Sequence, residues 1–242
     1  MNYKNPHFFV MGERSILIEW EPKIDKNLLD FILFTKKNVE KKSFEPIIEI
    51  TNTYYSLLIQ YHITIKNIYG EILALKSVIS KLSLPKNQKK ERYHLPVCYD
   101  PKFGLDLEEL GNENKLNFSE IKTLHSTPIY TLYFMGFLPG FLYLGGLDKK
   151  LFLDRKKTPR KRIQKGAVGI AGKQTGIYPK SSPGGWQIIG NCPVGFFDPN
   201  KNPPSIFRPG DQVKFYSISF EEHHEISEQI KHGVFQLKSE QQ

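Results

Sequence analysis

Reactive and anchoring residues are scarce in this sequence. Two cysteines, Cys98 and Cys192, stand far apart and in no metal-ligand spacing. That excludes a disulfide scaffold, and reduced thiols in a cytosolic protein are the expectation. No segment approaches the ~20 apolar residues of a membrane span. The opening residues, Met1 to His7, contain no apolar run suited to a secretory leader. A cytoplasmic location, away from membranes, follows as an expectation.

Familiar catalytic signatures are missing too. Gly166 to Lys173 looks at first like a phosphate loop, but five residues separate Gly166 from Gly172 and Gln174 follows Lys173. The Walker pattern needs four residues there and Ser or Thr after the Lys. There is no Gly-x-Ser-x-Gly elbow. His224-Glu225 lacks the second histidine of a zincin, so the His223-His224 pair is read as surface. Asp148, Asp154, Asp198 and Asp211 all flank turns, where Asp serves local hydrogen bonding. No metal site and no nucleophile are read.

Charge is not scarce. Net charge is +9, from 34 basic and 25 acidic residues, and much of the excess lies in Lys86 to Arg92 and Arg155 to Lys165. Neither run is interleaved with aromatics as a stacking platform for single strands would be. A solvated linker and a loop that meets an anion or a partner are expected, rather than a nucleic-acid groove.

What the chain does have is glycine in one place. Eleven of its 18 glycines fall between Gly136 and Gly190, mixed with Phe, Tyr and Trp. Glycine tolerates positive φ and lets a ligand or another backbone approach closely. Two readings stand side by side: short strands with shaped turns lining a pocket, or a plain glycine-rich barrel whose turns need glycine.

The rest of the chain divides by periodicity. Ser15 to Trp20 alternates as a strand, with Ile16, Ile18 and Trp20 on one face. Asp25 caps a helix carrying Leu28, Leu29, Ile32 and Leu33. Ile47 to Ile65 reads as a hairpin, and Asn67 opens a helix with Ile68, Ile72, Leu75, Ile79 and Leu82 on one side. Tyr93 to Tyr99 completes a β-α-β-β-α-β order, the ferredoxin-like signature. Asp106 starts a short helix. Asn117 and Glu120 form a capping box for Phe118 to His125. Strand and turn signals follow, Gln212 to Ser219 being the last clear strand before a helix from Glu221 to His232.

Several polar groups near the glycines suit a small anion or amide. Arg155 and Arg160 can each pair bidentately with a carboxylate. Gln174 offers an amide donor and acceptor. Tyr143, Tyr178 and Trp186 combine an apolar body with one polar atom. His125, at a helix-to-strand junction beside this region, is read first as a structural hydrogen-bonder.

Three stretches together carry a resemblance: Gly136 to Leu147 with Arg155 and Pro159-Arg160, Gly166 to Pro179, and Ser182 to Gly190. Leu124-His125 and Pro209 to Phe215 fit the same pattern. The chain resembles the allophanate hydrolase subunit 1 family, whose members include the B subunit of bacterial 5-oxoprolinase and a kinase-inhibitor protein. It departs from the family pattern at Asp154, Gln164-Lys165 and Asn191-Cys192. The resemblance implies an α+β fold, with an N-terminal ferredoxin-like α/β domain (1–92) followed by a cyclophilin-like β-barrel domain (93–242). It implies two partners: a homologous C subunit (allophanate hydrolase subunit 2 type) and an A subunit of the lactam-utilisation type. It implies that the assembled complex opens 5-oxo-L-proline to L-glutamate with ATP and Mg, no cofactor being held by this chain alone. On this reading Arg155, Arg160, Gln174, Tyr178, Trp186, Tyr143 and His125 hold the lactam. Two alternatives remain: a regulatory binding protein that inhibits a sensor histidine kinase, and a component of an allophanate/urea-type amide-processing or carboxyltransferase complex.

Overall fold

The computed structural model describes residues 3–42, 46–83 and 89–242. The chain forms two compact units, Met1–Gln88 and Lys89–Gln242. Of the basic run read as a linker, Lys86 to Gln88 lies outside the described residues.

The first unit holds β1 (His7–Val10), β2 (Ser15–Glu19), α1 (Lys26–Lys42), β3 (Ile47–Asn52), β4 (Ser56–Tyr61) and α2 (Ile68–Ser80). Its sheet is antiparallel with the order β1-β2-β4-β3. Alternation puts Ile16 and Ile18 of β2 and Leu57, Ile59 and Tyr61 of β4 into one core with Leu28 and Ile32 of α1 and Leu75 and Ile79 of α2. Asp25 caps α1 by accepting from the backbone N–H groups of Asn27 and Leu28 at 2.8 and 3.1 Å.

The strand expected to close this sheet, Tyr93 to Tyr99, is not in it. Glu91–Cys98 forms β5 and pairs within the second unit. The edge beside β2 is taken instead by β1, a four-residue strand that is mostly exposed and shows little alternation. Residues 93 and 95–98 of β5 are buried whichever way they point, as suits a strand enclosed on both faces.

The second unit continues with α3 (Leu107–Asn114), α4 (Phe118–Ser126), β6 (Ile129–Met135) and β7 (Leu142–Gly145). After a 3-10 turn at Lys149–Leu151 come β8 (Arg160–Ile163), β9 (Ala167–Ala171), β10 (Gln174–Ile177), β11 (Ser182–Gly184) and β12 (Gln187–Asn191). The unit ends with β13 (Gln212–Ile218), α5 (Phe220–Lys231) and β14 (Ser239–Gln241). Seven strands run β12-β9-β10-β7-β6-β13-β5, and the Cys98–Asn191 pairing of β5 with β12 closes them into a barrel. Only β5–β13 is parallel within that ring. Val168, Ile170, Ile177, Leu142, Leu144, Ile189 and Phe215 fill the barrel interior. The overall class is α+β, as the sequence implies.

The capping box of α4 is present, with Asn117 accepting from the Glu120 N–H and Glu120 from the Asn117 N–H. His223 is a correction. It is buried rather than at the surface, and its Nε2 meets Asn191 Oδ1 at 2.9 Å, docking α5 on the barrel.

Candidate functional site

A second apolar cluster lies on the outer face of β7, β9 and β10. Leu142 and Leu144 point inward from β7, so Tyr143 points out; Thr175 and Ile177 do the same in β10, so Gly176 is outside. Gly176 is registered against Tyr143 on one side and Gly169 on the other. A Cβ at Gly176 would lie 2.6 Å from the Leu142 carbonyl oxygen on the neighbouring strand, 2.9 Å from a Phe141 ring carbon and 3.0 Å from Trp186 Cζ3. Bare backbone is therefore what lets these rings lie against the sheet. Phe141 then meets Trp186 and Tyr178 edge-on at 5.2 and 4.9 Å. The excess of glycine answers to this packing as well as to turns.

Beside the cluster is an open cavity of about 250 Å³ lined by Phe137, Tyr143, Arg155, Tyr178 and Trp186. Pro159 and the Pro183–Gly185 segment complete its wall. The Arg155 guanidinium stands 5.8 Å from the centre of the Trp186 ring, in cation–π range. Among the described residues no carboxylate forms an ion pair with Arg155. Burial pushes the Tyr178 phenol up to about 12, so it stays protonated and able to donate at neutral pH. Tyr143 is likewise raised by burial, against the opposing pull of Arg155.

Sequence does not single out Phe137. It is 66% exposed and its ring meets Phe141 edge-on at 6.0 Å. Its φ is 63°, the left-handed region that an aromatic residue rarely adopts. The one available signal is an aromatic side chain set between Gly136 and Leu138-Pro139-Gly140, where a turn is expected.

The other candidates are placed differently. Arg160 is bound to Asp106 by both terminal nitrogens, at 2.8 and 2.6 Å. Gln174 sits at the far end of β10 from Tyr178, beside the Gly172 turn, and does not line the cavity. His125 is wholly buried inside the barrel. Its Nδ1 is 2.7 Å from the Tyr99 hydroxyl and its Nε2 is 2.9 Å from Thr175 Oγ1. Thr175 donates its one hydroxyl proton to the Gly169 carbonyl, so His125 Nε2–H donates and Nδ1 accepts from Tyr99. Burial lowers its pKa to about 3, leaving a neutral imidazole. Asn191, where the family pattern differs, is also engaged: it donates to the Lys165 carbonyl and accepts from His223.

Sequence marks Asp106 only as the start of a helix. Its side chain makes no cap bond to α3. It accepts instead from Arg160, from Lys156 Nζ at 2.8 Å and from the Ile188 backbone N–H at 2.6 Å. Burial alone would raise its pKa, but these donors outweigh that and hold it below the usual carboxylate range.

A family model described as carboxyltransferase domain, subdomain C and D, matches residues 6–207. The chain belongs to this carboxyltransferase family. It is 34% identical over 233 residues to the B subunit of 5-oxoprolinase from Bacillus subtilis (strain 168), covering 90% of this chain and 95% of that one. The protein of the same name from Escherichia coli O157:H7 is 32% identical over 215 residues, 86% of this chain and 94% of the relative. These relatives bear out the resemblance carried by the glycine-rich motifs. The crystal structure of Kluyveromyces lactis urea amidolyase has the same fold, with a TM-score of 0.84 at 23% identity, over 98% of this chain and 16% of that one. Among the described residues no helix is long and apolar enough to cross a membrane.

Proposed function

We propose that this chain is the B subunit of a bacterial ATP-dependent 5-oxoprolinase, the complex that opens 5-oxo-L-proline to L-glutamate. The observation that carries this reading is the near full-length match to the 5-oxoprolinase B subunit of B. subtilis. Its partners are a homologous C subunit and a lactam-utilisation A subunit, in the cytoplasm, and the chain is inactive by itself. In this reading the small unit is a ferredoxin-like sandwich in permuted order, with β1 at the edge a closing strand would take. The barrel is of the cyclophilin-like kind.

The substrate in this reading is a small flat ring bearing an amide and a carboxylate. Arg155 pairs with the carboxylate through its fork of donors. Trp186, Tyr143 and Phe137 cover the faces of the ring, and Tyr178 donates to the lactam oxygen, where negative charge develops as the ring opens. ATP and Mg belong to the assembled complex. Among the described residues no cluster of three or more His, Cys, Asp or Glu is arranged to hold a metal ion. Gly166–Lys173 folds as β9 and the Gly172 turn.

The test is ATP-dependent glutamate release from 5-oxo-L-proline by this chain mixed with its two partner subunits, each component omitted in turn. Glutamate only when all three are present supports the reading. A complete complex that releases none contradicts it and favours carboxyl transfer, to which the family's description points.

A further inference from the structure

The segment that presents Arg155 has no regular structure of its own between the 3-10 turn and β8, yet its backbone is tied down on both sides of that residue. The Asp154 carbonyl accepts from Gln187 Nε2 at 3.0 Å. The Lys156 N–H donates to the Gly185 carbonyl at 2.7 Å, joining the segment to the Pro183–Gly185 part of the cavity wall. Beyond these backbone ties, the segment is gripped by charge. Lys156 Nζ reaches Asp106 at 2.8 Å and Glu109 at 2.5 Å, and Arg160 closes its fork on Asp106.

Asp106 is itself fixed to the barrel. Its N–H donates to the Ile188 carbonyl at 2.8 Å while its carboxylate accepts from the Ile188 N–H at 2.6 Å. One buried side chain, 2% exposed, therefore ties β12 to both ends of the Lys156–Arg160 stretch. It forgoes the local cap of α3 to do so. Arg155 and Lys157 stand outside this grip, and of the two it is Arg155 that lines the cavity.

We propose that Asp106 is a positioning residue for substrate binding: through Lys156 and Arg160 it sets where the Arg155 guanidinium stands over the cavity. Arg160 acts on Asp106 and not on substrate. This rests on the cavity being the lactam site. Carboxylate recognition by a planar fork depends on placement to within a fraction of an ångström, so loosening the segment acts on binding before it acts on chemistry.

The experiment uses the assembled complex carrying Asp106→Asn or Arg160→Lys. Asn keeps the shape and one acceptor; Lys keeps the charge and loses the fork. Each is expected to raise KM for 5-oxo-L-proline about tenfold, with kcat and the KM for ATP within about threefold of the parent. Added to Arg155→Ala, neither is expected to raise KM further, because both act through the same guanidinium. Effects that multiply in the double variants, or an unchanged KM in Arg160→Lys, overturn the proposal. A readout independent of turnover is Trp186 emission in a Trp20→Phe background. Asp106→Asn and Arg160→Lys are expected to reproduce the change seen on Arg155→Ala, and Lys161→Ala to give none. Parent-like emission in both network variants overturns the positioning role of Asp106 even if 5-oxoproline is the wrong substrate; a parent complex that releases no glutamate while emission behaves as expected overturns only the substrate.

Discussion

Arg160 closes both terminal nitrogens on the two carboxylate oxygens of Asp106 across 54 residues of sequence. The pair joins the start of β8 to the start of α3, and its acid is nearly fully buried. Removing the base leaves a buried carboxylate with Lys156 as its remaining cation.

Arg160→Ala is therefore expected to cost about 3 kcal/mol. In a unit of this size that lowers the thermal midpoint by roughly 6 to 12 °C. Calorimetry of the variant checks it. The contribution also has a pH signature. Asp106 is held below its ordinary pKa, so its stabilisation is fully present above about pH 4 and is lost as pH falls through the lower folded value.

Gly176 is required for packing rather than for a turn. Gly176→Ala drives the added carbon against the Leu142 carbonyl as well as the Phe141 and Trp186 rings and is expected to cost about 1–3 kcal/mol. Gly195→Ala, where nothing lies within 4 Å of the added carbon, is expected to change stability by no more than about 0.5 kcal/mol. Denaturant midpoints of the two variants make the comparison.

His125 makes the barrel acid-sensitive well above the carboxylate range. Its folded pKa of about 3 lies below the unfolded ~6.5. The unfolded state binds the proton first, so stability is full above about pH 6.5 and falls as pH drops towards 3, by roughly 2 kcal/mol between pH 7 and 5. His223, also lowered by burial and then by His224, adds to the same slope. His125→Gln is expected to be less stable at pH 7 but to lose about one proton's worth of slope. An unchanged slope would mean that His125 is not buried as a neutral ring.

Phe137 carries backbone strain at the rim of the cavity. Phe137→Gly relieves the left-handed penalty and is expected to stabilise the chain by up to ~1 kcal/mol, whereas Phe137→Ala keeps the strain and is not. Both lose the ring and are expected to weaken lactam binding about three- to tenfold. Titration calorimetry of the assembled complex reads the affinity, and thermal unfolding of the chain reads the strain.

Much of the local structure was legible because local chemistry sets it. Ile16 and Ile18, the Asp25 cap and the Asn117–Glu120 box are short-range patterns, and each is where the spacing puts it. The partner of a strand is not a short-range property. Tyr93 to Tyr99 fits a closing strand of the first sheet by count, but its burial on both faces belongs to the barrel. At the site, Tyr143, Arg155, Tyr178 and Trp186 meet because β7, the end of β10, the start of β12 and the loop before β8 bring them to one outer face. Arg155 and Arg160 are indistinguishable in a basic run. What separates them is a buried carboxylate at position 106, far away in sequence and reached only through the fold.

The measurement that bears most directly on the cavity as the lactam site is the KM for 5-oxo-L-proline of the assembled complex carrying Arg155→Ala. Losing a charge-assisted pair to the substrate carboxylate is expected to raise KM about 10- to 100-fold, with assembly and the KM for ATP unchanged. A KM equal to that of the parent complex would contradict the account and place the lactam elsewhere.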